Sequence, residues 1–352
     1  MTSQQGGSQP PPGIRDVARM ASVSVATVSL ALNGQPGVAE DTRRRILAAA
    51  AELHYRANPQ AQALRRGRTT SYGLVIRNFS NPFFLEVLRG AEQAASQAGA
   101  TLLLLDSHYS AERERLLVRE MAVQRLAGLA IAPVGRGESV RLWQELRPGT
   151  PVVALNASVE GMTGVSRVYP DNATGVELAM RRLAELGHSC VAFLTAPHGL
   201  VADPDRLRHF RRLARELGIQ PDVMRSHLTI TDVRKAAGTL LARRDPPTAI
   251  ITNSDYTALG IYQTARDLSL RIGPDISVIG HDDLPTSELL DPPMATIRLD
   301  GREMGRALMA RLVEGNTPSD YVAPVQLIER ASLRTPEIPA HKVPARLRAA
   351  TR

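Results

Sequence analysis

Between Ile14 and Leu53 the apolar positions recur at helical spacing, with two interruptions. Ile14, Val17, Ala18 and Ala21 mark one side of a first short helix. Ala21-Ser22-Val23 makes a turn, and Ser24 sits where an N-cap belongs, ahead of a second helix over Val25-Ala26-Thr27-Val28-Ser29-Leu30-Ala31-Leu32. Val23, Val28, Ala31 and Leu32 give this helix an apolar face, while its first-turn side chains, with Ser29 and Leu30, point outward. After the loop Asn33-Gly34-Gln35-Pro36-Gly37, Glu40–Leu53 reads as a third helix. Acids occupy its first turn, and Ile46, Leu47, Ala50 and Leu53 are expected to pack on the first two helices. Two short helices about a tight turn, the second free on one side, form a helix-turn-helix, whose second helix can enter a major groove.

From Ser71 the pattern changes to short apolar runs alternating with helical stretches. Strands are expected at Tyr72–Ile76, Thr101–Leu105, Gly128–Ala132, Val152–Leu155, Val165–Val168, Val191–Leu194, Ala249–Thr252 and Ile276–Ile279. Helices are expected at Leu85–Ala98, Ala111–Arg125, Thr174–Leu186, Arg206–Leu217, Asp232–Arg243 and Ala258–Leu268. Buried strands alternating with helices imply parallel α/β sheet, and there is too much for one sheet. The fold class is therefore an all-α helix-turn-helix headpiece plus an α/β core of two doubly wound parallel-sheet lobes. The chain is expected to cross between lobes near Asn156–Glu160 and near Asp282–Leu290.

The remaining stretches complete the division. Residues 1–12 contain three consecutive prolines among Gly, Gln and Ser and read as a disordered tail. Residues 13–57 are the headpiece, 58–70 a short helix and linker, 71–335 the core and 336–352 a basic tail. The formal charge of +8 is uneven: residues 1–68 hold nine Arg against four acids. A basic N-terminal unit suits a polyanionic partner. The single cysteine, Cys190, excludes an internal disulfide framework and reads as a core residue. No apolar run reaches membrane-spanning length and the polar N-terminus is no signal peptide, which points to the cytoplasm and to no membrane partner. The histidines lack metal-ligand spacing and no Gly-rich phosphate loop is present, so neither a cofactor nor an enzymatic activity is expected.

Asp16-Val17-Ala18, Ala21, Val23-Ser24, Thr27-Val28-Ser29 and Leu32-Asn33 closely resemble the headpiece signature of the LacI/GalR family of bacterial transcription regulators. Ser22 replaces the usual turn Gly, which asks serine to adopt a Gly-like backbone. Leu30 stands where many members carry a base-reading Arg, which leaves the operator sequence open. The resemblance implies DNA contacts from Ser24, Val25, Ala26, Thr27, Ser29, Leu30, Asn33, Thr42 and Tyr55. It also implies that Asn58–Arg68 is a hinge helix, folding when two copies pair over the operator's central minor groove. Asn58, Ala61 and Leu64 would act there, Leu64 matching the leucine that the family wedges between base steps.

The core resembles periplasmic sugar-binding proteins from Ser71 to about Leu333, through Asn81-Pro82-Phe83-Phe84, Asp171-Asn172, Leu186-Gly187-His188, Ser254–Gly260, His281-Asp282-Asp283 and Pro292-Pro293. Open α/β sheets bind ligands outside the carboxyl ends of their strands. The candidate effector residues are Asn81, Phe83 and Phe84 after the first strand and Asn156, Ser254 and Asp282 after later ones; the resemblance adds Arg206, early in a helix, at the family's cleft-lining arginine. In the resembled proteins aromatics stack on a sugar ring while Asp, Asn and Arg bind hydroxyls. Here Asn156-Ala157 replaces an acidic residue, Leu228 an aromatic and Leu299 a polar group, and Arg77 could anchor an anion or form a surface ion pair. Phe83 and Phe84 could equally be core, and Asp282 a helix cap. The expected function is a ligand-responsive, homodimeric DNA-binding repressor acting on double-stranded operator DNA. The alternative is a solute-binding component of a transport system.

Overall fold

The computed structural model describes residues 12–32, 34–55, 69–157, 159, 161–200, 204–315 and 317–337. Asn33, the hinge segment with Asn58, Ala61 and Leu64, most of the N-terminal tail and Pro339–Arg352 lie outside the described residues. The chain divides into two compact units, Met1–Thr69 and Thr70–Arg352.

The first unit contains α1 (Ile14–Met20), α2 (Val25–Leu32) and α3 (Glu40–Glu52). Its core is Val17, Ala18, Ala21, Val28, Ala31, Ile46, Ala49 and Ala50, small residues that let short helices approach closely. The Ser24 hydroxyl accepts the Thr27 amide at 3.1 Å and caps α2 as the sequence predicts. Ser22 adopts φ +51, the left-handed conformation that its place in the turn requires. Arg43 of α3 donates to the carbonyls of Ala31 (3.0 Å) and Gln35 (2.8 Å), holding the end of α2. Leu47 does not pack inward: it is 48% exposed, and Ala49 takes its place. The inward series 46, 49, 50, 53 follows the i, i+3, i+4, i+7 stripe, and Leu47 falls off it.

The second unit holds two six-stranded sheets. The first contains β1 (Ser71–Ile76), β2 (Thr101–Asp106), β3 (Gly128–Ile131), β4 (Val152–Leu155), β5 (Ser166–Pro170) and β11 (Asp320–Ala323), in the order β11-β5-β4-β3-β1-β2, all parallel. The second contains β6 (Cys190–Thr195), β7 (Gln220–Arg225), β8 (Ala249–Ile251), β9 (Ser277–Asp282), β10 (Ala295–Arg298) and β12 (Gln326–Ile328). Its order is β12-β10-β9-β8-β6-β7, and only β12 is antiparallel to its neighbour. Beyond the headpiece the helices are α4 (Phe83–Gln97), α5 (Ala111–Val123), α6 (Glu138–Leu146), α7 (Asn172–Glu185), α8 (Pro204–Leu217), α9 (Ile230–Leu241), α10 (Asp255–Asp267), α11 (Thr286–Leu289) and α12 (Gly301–Glu314).

Strand alternation explains the two-sided packing. In β6, Val191 and Phe193 join α7 and α8 on one face, while Ala192 and Leu194 join α9 and α10 on the other. In the first lobe, Leu74 and Ile76 face α4 and α12, and Val75 faces α5 and α6. His188, in the Leu186-Gly187-His188 motif, is buried between the Thr248 hydroxyl and the Arg334 carbonyl, each at 2.9 Å. Cys190 is buried at the start of β6.

The crossings differ from the sequence expectation. The described residues of the stretch 156–160 stay within the first lobe, because β5 pairs with β4 and Val159 packs in that lobe's core. The chain leaves only at Asp171, entering α7. Asp282–Leu290 likewise stays with the second lobe, since β10 pairs with β9. Leu284 of that stretch reaches the first lobe's core, but the chain returns. The real second crossing follows β10, at Leu299-Asp300 into α12, and a third joins β11 to β12.

Candidate functional site

A cleft of about 690 Å³ opens in the second unit at the carboxyl ends of its strands, and all seven candidate effector residues line it. Their individual roles are unequal. Asn81 is buried, and its side-chain oxygen accepts the Phe83 amide at 3.1 Å, starting α4. Phe83 and Phe84 pack edge-to-face at 5.4 Å and are only 4% and 3% exposed, so most of each ring belongs to the core. Ser254 caps α10, accepting the Thr257 amide at 3.2 Å. Asn156, at φ +48, offers its carbonyl to Arg77 (2.8 Å).

Arg77 itself is not a surface residue. It is buried beneath the cleft, with Nε on the Pro133 carbonyl at 3.0 Å, and so ties together the ends of β1, β3 and β4.

Arg206 and Asp282 form the polar centre. Arg206 is buried and donates to the Asn253 carbonyl at 3.1 Å. Asp282 is not a helix cap; it ends β9 in a strained turn, with Asp282 at φ 116 and Asp283 at φ 54. Its Oδ1 lies 3.1 Å from His281 Nδ1, and its buried Oδ2 has no hydrogen-bond partner among the described residues. Burial pushes the Asp282 carboxyl well above the usual range, Asp255 adding to the effect and Arg206 opposing it. Burial also holds His281 well below its usual value, so their contact is a hydrogen bond with a neutral imidazole. A buried, unpartnered carboxyl oxygen costs free energy that a ligand hydroxyl would recover. The strained turn is held from behind by Asp255, which accepts the Leu284 amide (2.8 Å), the Ser287 hydroxyl (2.6 Å) and the Thr296 hydroxyl (2.6 Å).

Sequence reasoning missed several lining residues: Tyr109, Arg136, His198, Arg225 and Asn253 follow or end strands β2, β3, β6, β7 and β8. The strand-end rule that located Asn156 and Ser254 would have found them. Burial pushes the Tyr109 hydroxyl up to about 12, leaving it a donor. Leu228 lines the cleft, as its sequence position suggests. Leu299 does not; it packs with Phe83, Phe84 and Met304 in the first lobe's core.

In the headpiece, Ser24, Ala26 and Leu30 are exposed, and Thr27, Ser29, Thr42 and Tyr55 are half-buried. Val25 is also half-buried and leans on the headpiece core with Tyr55. The hydroxyls of Ser24 and Thr27 lie 2.8 Å apart. Ala26, Ser29 and Leu30 thus share the side of α2 opposite Val28 and Ala31, and Val25 lies at its edge against the core.

Residues 13–58 match the model for bacterial regulatory proteins of the lacI family, and residues 180–333 match the periplasmic binding protein-like domain. Together they span more than half of the chain. The chain belongs to the lacI family of bacterial regulatory proteins. It is 28% identical over 330 residues to the HTH-type transcriptional repressor PurR of Vibrio atlanticus, covering 92% of this chain and 98% of that protein. It is 29% identical over 304 residues to the HTH-type transcriptional repressor CytR of Escherichia coli, covering 86% and 89%. The fold matches a lac repressor dimer bound to operator and the anti-inducer ONPF, with TM-score 0.82 and 26% identity over 92% of this chain and all of that one. It also matches a complex of the regulator CelR with cellobiose, with TM-score 0.69 and 27% identity over 91% and 99%. As a lacI-family member the protein is a DNA-binding transcriptional regulator controlled by a small molecule bound to its core. Among the described residues, no group of His, Cys, Asp and Glu is placed to hold a metal, and no helix is long and apolar enough to cross a membrane.

Proposed function

We propose that the protein is a homodimeric repressor of the cytoplasm whose affinity for a two-half-site operator is set by a polyol-like effector in the core cleft. The observation that carries this reading is that seven residues chosen from sequence line one cleft, with an unsatisfied Asp282 oxygen at its centre. Arg206 and Asp282 bind hydroxyls, Asn81 and Asn156 add amide groups, and the edges of Phe83 and Phe84 supply the apolar wall. Ser254 acts chiefly as the cap that holds the wall in place.

On the DNA side, Val25, Ala26, Ser29 and Leu30 meet base edges, their apolar members favouring thymine methyls. Ser24, Thr27, Asn33, Thr42 and Tyr55 meet the backbone. Asn58, Ala61 and Leu64 act in the minor groove, from a hinge in residues 58–70 between a headpiece at 13–57 and a core at 71–335. The complex of the lac repressor dimer with operator supports the dimer, and the CelR complex with cellobiose supports a sugar-like ligand.

Binding-site selection with the full chain, followed by gel shift and sedimentation on the selected DNA, tests the DNA half. A palindromic site bound by two chains is expected; a single half-site bound tightly by one chain would overturn it.

A further inference from the structure

Eight arginines line the cleft, and among the described lining residues Asp282 is the sole carboxyl group. Arginine identity alone says little, because the chain has only two lysines, Lys235 and Lys342. Placement is what matters. Arg77 and Arg206 are buried and held by backbone carbonyls, and Arg208 pairs with Asp205. Arg136, Arg141, Arg211, Arg215 and Arg225 are exposed at the mouth, with no carboxylate partner among the described residues. Arg211 and Arg215 sit four apart on α8, a like-charge spacing that costs stability in the absence of an anion. Arg225 Nη2 lies 3.4 Å from His198 Nε2 rather than on an acid.

These groups come from both lobes. Arg136 and Arg141 belong to the loop after β3 and to α6; Arg211, Arg215 and Arg225 belong to α8 and β7. The Gly135 amide donates to the Leu200 carbonyl at 3.2 Å, joining the loop of Arg136 to the loop of His198. Cations from the two lobes therefore face one opening, where they repel each other unless an anion sits between them.

We propose that the effector is anionic: a polyol bearing a phosphate-type group, its hydroxyls at Arg206 and Asp282 and its anion between Arg136 and Arg141 of one lobe and Arg211 and Arg225 of the other. This rests on the reading of the cleft as the effector site. Guanidinium forks match phosphate oxygens in pairs, and two lobes can share one such group. The anion converts repulsion across the mouth into attraction, so it favours the arrangement in which the lobes touch. A neutral polyol lacks this second anchor.

Titration calorimetry on the full-chain protein, with inorganic pyrophosphate as probe at low and high salt, tests the proposal. Saturable binding of one pyrophosphate per chain is expected, weakening as salt rises. The double variant Arg136→Gln/Arg225→Gln, at exposed positions, should bind it about tenfold or more weakly with an unfolding midpoint no lower than that of the wild type. The control Arg181→Gln on α7, whose partner is Glu177, should bind as wild type. Absent saturation, or wild-type affinity in the double variant, would overturn the proposal. Equal competition by short random DNA would also overturn it, marking the mouth as a general polyanion surface. None of these results touches the cleft reading, which fails only if Asp282 variants keep the wild-type effector response.

Discussion

The Nη2 of Arg77 donates to the carbonyl of Asn156 at 2.8 Å, joining the carboxyl ends of β1 and β4 directly beneath the cleft. Nε of the same guanidinium takes the Pro133 carbonyl at 3.0 Å. A residue whose sequence position suggests a ligand anchor therefore builds the wall. Arg77→Met keeps the stem but leaves both carbonyls without this donor, at about 1–3 kcal/mol each. Urea unfolding of the core should show a loss of about 2–6 kcal/mol. An unmoved midpoint would mean that the wall does not need this arginine.

Glu114 on α5 is a buried carboxyl whose Oε2 accepts the Val134 amide at 2.9 Å, while Oε1 has no hydrogen-bond partner among the described residues. Burial raises it from 4.5 to about 7, against the opposing hydrogen bonds and Arg77. A raised folded-state value means that its contribution is full below about 4.5 and is lost as pH rises through about 7. Glu114→Gln should add up to roughly 3 kcal/mol at pH ~8 and nothing at pH ~4.5. Melting curves across that range would show the gain growing with pH; a constant offset would contradict the assignment.

Ser22 holds φ +51 in the exposed turn between α1 and α2. Ser22→Gly relieves that conformation without removing a packed side chain. The headpiece should gain about 0.5–1 kcal/mol, read as a rise in its own thermal transition. A loss would show that the serine side chain contributes more than the backbone strain costs.

α4 and α12 touch through glycine. A Cβ on Gly90 would come 1.9 Å from the Arg302 carbonyl oxygen, and one on Gly305 would come 2.0 Å from that of Val87. Either alanine substitution must push the helices apart, against backbone that cannot turn aside. A loss of about 3 kcal/mol or more is expected for each, and wild-type stability in either variant would refute this packing.

Most of the headpiece was legible in sequence because its signals are local. Ser24 as a cap and the inward Val28 and Ala31 follow from spacing over a few residues, and Ser22 in a Gly-like turn follows from the family resemblance. Leu47 is the more hydrophobic residue, but helical phase decides which side chain turns inward, and Ala49 fits the stripe. In the core most buried central strands are legible, but β10, central between β9 and β12, is too short and mixed (ATIR) to stand out, and β7, β11 and β12 lie at sheet edges and carry polar residues or proline. The crossings failed because they depend on which strands pair, a non-local fact: only the β4–β5 and β9–β10 ladders keep residues 156–160 and 282–290 in their own lobes. The cleft was legible through the strand-end rule, but Leu299 was lost to the core and the arginine mouth was overlooked because charged helix faces are usually solvated.

Leu30 is 37% exposed on the outward side of α2. Leu30→Arg should change base preference by about 1–3 kcal/mol at one base pair per half-site, read by binding-site selection. An identical consensus from both proteins would remove Leu30 from the base-reading surface.

The central claim is that ligand in the cleft controls affinity for operator, and thermodynamic linkage gives its most direct measurement. Operator affinity of the full chain is titrated against the effector for the wild type, Arg206→Ala and Asp282→Ala. Both variants should bind operator as tightly as the wild type without effector, while the effector's influence disappears or shifts to far higher concentration. Wild-type titration curves from both variants would contradict the account.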